Sequence, residues 1–181
     1  RYIVPDYAKF MREGSKFLQL DPPKDIYEAI NSLLIFYKNV PSVTNYPVYL
    51  GNIDELLEPF MDDVDEAQAK KLFKLFFTHI DRTVLDSFSH ADIGPKATRA
   101  GRLILEVERE LLDAVPNITM KYDTDITPDD FGIECVKTAL KTAKPSFANH
   151  KMFKKELGEN YVIASCYNGL LLGGGSYTLC R

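Results

Sequence analysis

Tryptophan is absent from the 181 residues, and cysteine is scarce: Cys135, Cys166 and Cys180 form an odd set with no close pair. That excludes a disulfide framework and a zinc-ligand spacing, and it points to a reducing, cytoplasmic setting. No apolar run reaches membrane-spanning length and no signal peptide opens the chain, so no membrane partner is expected. A basic block is missing too, and with a net charge of −4 nucleic acid is not an expected partner. Internal repeats and low-complexity tracts are lacking. There is no initiating methionine, and the closing alternation Ser176-Tyr177-Thr178-Leu179-Cys180-Arg181 reads as a strand cut mid-run. The sequence is therefore expected to be a fragment of a longer protein.

Hydrophobic residues make up 45% and aromatics 12%, which describes a globular chain with a sizeable core or part of a larger one. Residues 1–115 read as mainly helical. A short helix fits Tyr7–Phe17, and after Pro22-Pro23 a helix capped by Asp25 runs to about Lys38, with Ile26, Ala29, Ile30, Leu33, Leu34 and Tyr37 on one face. Val48-Tyr49-Leu50 is extended, and Asn52–Phe60 is a short helix broken near Pro59. A long helix is expected from about Asp65 to Phe88, with His79 half-buried at the edge of its apolar stripe. Ser87–Lys96 reads as a loop whose His90 and Asp92 lack a third metal ligand nearby, and the charges Glu106, Glu108, Arg109 and Glu110 on the Ala97–Val115 helix read as a solvated face.

From residue 116 the pattern turns to α/β. Asn117–Tyr122 reads as a strand. Thr127-Pro128-Asp129-Asp130 is a helix start, with an N-cap, a proline at the first position and acids in the first turn. Pro145–Asn149 is extended, residues 151–157 are a short helix stopped by Gly158, and Tyr161–Ser165 is a strand. Such alternation predicts parallel pairing with right-handed crossovers. The last strand delivers Cys166 to a loop, with Gly169 and Gly173-Gly174-Gly175 following closely. A thiol presented in this way can be a reactive group; taken alone, it is more economically a small buried hydrophobe. The triple glycine lacks the lysine and the helix start of a phosphate loop. Asp62-Asp63 and Asp129-Asp130 look like charges at helix ends, not acid/base dyads. His150 is the nearest histidine in sequence that could serve Cys166 as a base.

Several stretches together resemble the glycyl radical enzymes, the superfamily of pyruvate formate-lyase, the radical diol dehydratases and the anaerobic ribonucleotide reductase. Pro22-Pro23 with Tyr27-Glu28-Ala29-Ile30 is similar to an early helix carrying a Glu-Ala pair. Leu50–Phe60 is similar to a Gly-Arg-x-Asp-Gln-x-x-x-Pro-Phe signature, with Asn52 where arginine is usual. Pro116–Lys121 resembles the strand that follows, with Lys121 for the usual arginine. Asp129-Asp130-Phe131, Pro145–Asn149 and Gly158 then fall in the order that leads to the cysteine, and Ala164–Gly169 looks most like the YjjI-type members.

The resemblance implies a single incomplete domain over 1–181: the helix-rich part of a ten-stranded α/β barrel, ending just past the cysteine loop. It implies that an activase using S-adenosylmethionine and an iron–sulfur cluster installs a glycyl radical on a residue outside this chain, with no cofactor or metal bound directly. Cys166 would form the thiyl radical that abstracts hydrogen from a small-molecule substrate under anaerobic conditions. Tyr167, Asn168, Asn149 and His150 are the candidate substrate-binding residues, whereas Lys121 and Glu134 are assigned to packing and surface. A homodimer is compatible with this picture. Ser165 replaces the second cysteine of the formate-lyase pair, and Asn168 stands where the dehydratases carry a glutamate base, so neither of those chemistries is expected. Two other readings remain open: a non-catalytic α/β interaction module with a buried cysteine, and a thiolate-dependent enzyme using Cys166 and His150.

Overall fold

A computed structural model describes residues 6–39, 48–83, 89–114, 116–158, 161–164, 168–171 and 176–178. Helix α1 (Tyr7–Glu13) is capped by Asp6, whose carboxylate accepts from the Lys9 amide at 2.9 Å. It stops short of the expected Phe17 because Gly14 turns the chain at φ +69°, where a Cβ would sit 2.3 Å from the Leu20 carbonyl. Helix α2 (Ile26–Asn39) starts where Asp25 accepts from the Glu28 amide at 2.8 Å, and it buries the predicted face through Tyr37.

Strand β1 (Val48–Asn52) runs into α3 (Ile53–Leu57), a single 3₁₀ turn (Glu58–Phe60) and α4 (Glu66–Thr83). The remainder of the helix expected to Phe88 lies outside the described residues. The supposed loop at 87–96 contains a strand, β2 (Ser89–Ile93), every residue of which is buried. Its Ser-His-Ala-Asp-Ile composition hides it, since three of its five side chains are polar. Helix α5 (Arg99–Leu111) follows, then β3 (Asn117–Tyr122), α6 (Asp129–Thr142), β4 (Ser146–Asn149) and α7 (His150–Leu157). The end of α5 comes before Val115 because Leu112 adopts a left-handed conformation, its amide closing on the Glu108 carbonyl. The cap of α6 is Pro128; Thr127, the expected cap, instead donates its hydroxyl to the Pro95 carbonyl at 2.9 Å.

Strands β1 to β4 form one parallel sheet in sequential order. Consecutive parallel strands joined by crossovers of one hand place the connecting helices on one face. That face carries Ala91, Ile93, Ile118 and Met120, which join Leu103, Ile104, Val107, Phe131 and Cys135 of the helices in a common core. The strand after α7 does not extend this sheet. Strands β5 (Tyr161–Ala164), β6 (Asn168–Leu171) and β7 (Ser176–Thr178) make a separate antiparallel sheet, correcting the expectation of continued parallel pairing. The mixed α/β character is as expected, with an open four-stranded parallel sheet among the described residues.

The charges on α5 are not simply solvated. Glu108 is buried and pairs with Lys144 at 2.5 Å, while Arg109 bonds Glu134 and Thr138 on α6. Glu106 and Glu110 pair with Lys70, and Glu110 also with Lys74, on α4. These contacts fix the helices to one another over the sheet.

Asp54 ties α3 to the end of β2. It is fully buried, and its Oδ2 accepts from the Gly94 amide at 3.0 Å and the Thr98 hydroxyl at 3.1 Å. Glu58 adds a bond from the Ala100 amide at 2.8 Å, so two acids of the Leu50–Phe60 segment hold the start of α5. Burial pushes the Asp54 carboxyl up to about 7. An acid with a native pKa above its unfolded value holds its proton more tightly when folded, so its ionisation penalty is absent at low pH and builds between about pH 4 and about pH 7. Relative to Asp54→Asn, the wild type should therefore lose about 3 kcal/mol of stability between pH 5 and pH 8. Urea midpoints at the two pH values measure this, and parallel profiles for the two proteins would rule the account out.

Candidate functional site

The face of the parallel sheet turned away from the helices is polar. Alternation along β2 and β3 and the register of the sheet bring Tyr49, His90, Asp92, Thr119 and Lys121 to that face. Parallel sheets are normally apolar on both sides, so buried polar groups in the central strands need partners or a function. Asp92 and Lys121 form an ion pair at 3.2 Å with almost no solvent exposure. Their neighbours come from the C-terminal ends of several strands, the edge at which open α/β sheets bind ligands.

Lys121 has three N–H donors, and three acceptors surround it. They are the Asn52 side-chain oxygen at 2.6 Å, the Tyr161 carbonyl at 3.1 Å and Asp92 Oδ2. Its ammonium also lies over the Tyr161 ring, 4.6 Å from the centroid. Asp92 Oδ2 accepts from the Tyr49 hydroxyl at 2.9 Å and the Ile163 amide at 3.1 Å as well as from Lys121. Burial pushes the Asp92 carboxyl up, opposed first by the Lys121 charge. Burial beside Asp92 pushes the Tyr49 hydroxyl up as well. Asp92 Oδ1 and His90 Nε2 are buried atoms without a hydrogen-bond partner among the described residues. Burial lowers the His90 pKa, which favours the neutral ring. His90 and Asp92 share a face, but no group of three or more metal-ligating side chains occurs among the described residues.

Strand β5 thus lies across this polar face, and its antiparallel partner β6 pairs Ala164 with Asn168. Cys166 and Tyr167, between those two residues, lie outside the described residues. Asn168 opens β6 and pairs with Ala164 and Thr178. Asn149 ends β4 at an exposed position, where its side chain accepts from the Met152 amide at 3.0 Å and caps α7. His150 follows it and is buried, with Nδ1 2.7 Å from the Tyr161 hydroxyl. Of the predicted pocket residues, the structure therefore ties His150 to the hairpin and gives Asn149 a capping role. Lys121, assigned with Glu134 to packing and surface, is 3% exposed and central to the buried polar face. Asp92, Tyr49 and Tyr161 were not anticipated. A charged residue two positions from a histidine in an otherwise unremarkable pentapeptide gives the signal only once 89–93 is known to be a strand.

A four-stranded parallel sheet with helices on one face and β5 crossing its polar face defines a mixed α/β protein. The family model of YjjI-like glycyl radical enzymes matches residues 1–181, and the chain belongs to that family. It is 50% identical over 181 residues to an uncharacterised protein of Haemophilus influenzae and 43% identical over 182 residues to the uncharacterised protein YjjI of Escherichia coli. All of this chain is covered in both comparisons, but only 35% of either relative, so the chain spans about a third of their length. Asn52 and Lys121, the two positions at which the resemblance led arginine to be expected, bond each other at 2.6 Å.

The Tyr161 side chain is held by His150 at its hydroxyl and by the Phe153 ring stacked 5.5 Å away. Tyr161→Phe removes only the hydroxyl, leaving the ring contacts and the carbonyl bond to Lys121. It should lower stability by about 1 kcal/mol, measured by denaturant unfolding. A loss several times larger would mean that the hydroxyl supports more than His150.

Proposed function

We propose that this chain is part of a glycyl radical enzyme in which Cys166 carries a thiyl radical that abstracts hydrogen from a small-molecule substrate under anaerobic conditions. The single observation that carries the reading is the attachment of β5, the strand running into Cys166, to the buried polar face at the ends of a parallel sheet. The sheet is taken as one section of a ten-stranded α/β barrel that the longer protein completes. A sequential parallel order with helices on one side and a polar opposite face is what a barrel wall with an internal site requires.

The residues present suit such a cofactor, because radical chemistry needs a site that excludes water and Asp92, Lys121 and Tyr161 are all buried. The glycyl radical, on a residue outside this chain and installed by an S-adenosylmethionine-dependent iron–sulfur activase, supplies hydrogen-atom abstraction from the Cys166 thiol. Cys166 then takes a hydrogen atom from a substrate C–H bond, re-forming S–H, and returns a hydrogen atom to the product radical. Tyr167, Asn168, Asn149 and His150 are proposed to line the substrate pocket. Asn168 offers an amide and no base at neutral pH, which turns the chemistry away from the proton abstraction of the dehydratases. Ser165 in place of a second cysteine likewise turns it away from acyl transfer through a cysteine pair. The protein is proposed to act in the cytoplasm, with the activase as its protein partner and a homodimer as its assembly.

The full-length protein bearing Cys166→Ala, activated anaerobically, should form the glycyl radical at wild-type yield by electron paramagnetic resonance. It should also fail to produce the metabolite changes that the active wild type causes in an anaerobic cell extract. Changes of wild-type size from this variant would sink the assignment of Cys166. A full-length sequence without an Arg-Val-x-Gly-Tyr-like segment near its C-terminus would sink the radical mechanism itself.

A further inference from the structure

We infer that the Asp92–Lys121 ion pair is a register clamp that positions the cysteine-bearing hairpin, so that both are positioning residues for Cys166. The inference rests on the reading of Cys166 as the reacting thiol. It starts from an edge. Among the described residues, strand β5 is the outer strand of its sheet and has a strand neighbour, β6, on one side only. Backbone groups of residues two apart in a strand point to the same edge. On β5 the Tyr161 carbonyl and the Ile163 amide are two such groups. The carbonyl accepts from Lys121 Nζ at 3.1 Å, and the amide donates to Asp92 Oδ2 at 3.1 Å.

An acceptor and a donor, two residues apart on one edge, are thus met by a donor and an acceptor joined at 3.2 Å. The ion pair takes the place of a neighbouring strand. Side chains can do this at an angle that a backbone ladder does not allow, so β5 is held over the sheet face without joining the sheet. The contacts are to the backbone, whose groups recur every two residues, so they set which edge of β5 and which alternate residues meet the sheet face. Two contacts of the Tyr161 side chain then select one position along the strand: its ring beneath Lys121 and its hydroxyl against His150.

Register matters here because Cys166 follows Ile163 by three residues. A slip by one residue would exchange the faces of β5. A slip by two would keep the faces but carry the chain along by about 7 Å. Hydrogen-atom transfer requires the reacting atoms to be held near contact, so a displacement of that size would separate the thiol from both its radical source and the substrate. A slip by one turns the Tyr161 carbonyl and the Ile163 amide away from the ion pair, and a slip by two takes the Tyr161 ring from beneath Lys121, so the arrangement resists both.

The test uses the full-length, non-activated protein with iodoacetamide as the probe of Cys166, together with amide hydrogen exchange. Lys121→Met keeps the side-chain stem and removes the donor. It should speed exchange at 161–164 at least ten-fold and change the alkylation rate of Cys166 at least ten-fold, with exchange in α5 and α6 as in the wild type. Tyr161→Phe, which retains both backbone bonds, should change neither rate by more than about two-fold. If Lys121→Met does not fold, the apolar pair Lys121→Met with Asp92→Leu, which leaves no unpaired charge and neither donor nor acceptor, is read in the same way. Wild-type exchange and alkylation in a folded variant would overturn the clamp; a purely structural pair would lower the unfolding midpoint and leave these native-state rates unchanged. Neither readout involves a radical. Failure of the clamp is therefore separate from failure of the thiyl reading, which the Cys166→Ala experiment decides.

Discussion

A carboxylate and an ammonium removed together from water impose the strongest constraint on this structure. Burying either ion alone costs several kcal/mol, and their mutual attraction offsets that cost only when the remaining bonding capacity of both is met. Asp92 and Lys121 come close to this. Every N–H of the ammonium has an acceptor, and one carboxylate oxygen gathers three donors. Because the partners come from β1 and β5 as well as from the two strands that carry the charges, the pair cannot be satisfied unless these elements are assembled. A pair of this kind adds little net stability over well-packed apolar residues, but it penalises alternative arrangements heavily.

Other buried and half-buried acids and bases in the chain do different work. Asp54 and Glu58 hold the N-terminal turn of α5 against α3, and Glu108 with Lys144 joins α5 to the connection after α6. Lys144 also donates to the Pro116 carbonyl at 3.1 Å, which anchors the entry to β3. These contacts lie on the helix side and fix the scaffold. The Asp92–Lys121 pair lies on the opposite face and fixes the hairpin. The sheet thus separates two functions: apolar packing and helix anchoring on one side, and a polar, enclosed surface on the other.

Much of this architecture was legible in the sequence. The apolar spacing of α2 and α4 marked their buried faces, and Asp25, Gly158 and the acids after Pro128 marked helix ends, because each signal acts within a few residues. Strand β2 was not legible. Its buried histidine and aspartate resemble a loop in any local window, and only pairing with β1 and β3, distant in sequence, makes them strand residues. The central place of Lys121 was hidden for the same reason. A lysine near the end of Asn117–Tyr122 carries no sign of its partners until Asp92, Asn52 and Tyr161 are brought around it. Glu108 was misread for a related reason, since its partner Lys144 lies on a segment whose position depends on the whole of α6. The Leu50–Phe60 segment gave a different lesson. It was read for resemblance, and its buried acid proves to be a structural tie between α3 and α5.

The placement of β5 follows from a conflict between two requirements. A strand that leads into a reacting cysteine, as proposed for β5 and Cys166, must be rigid, which favours pairing within a sheet. On that proposal it must also leave the sheet that forms the wall of the site, which forbids pairing with the wall. An antiparallel hairpin meets part of the difficulty by giving β5 a partner in β6, but it leaves one edge of β5 facing a low-dielectric interior, where an unpaired amide or carbonyl is costly. Water could satisfy that edge, but it would bring solvent to chemistry that needs a dry site. Charged side chains rising from the wall satisfy it without water. On this argument the unusual chemistry of the sheet face, a lysine and an aspartate in the central strands of a parallel sheet, is a consequence of holding a hairpin inside the fold.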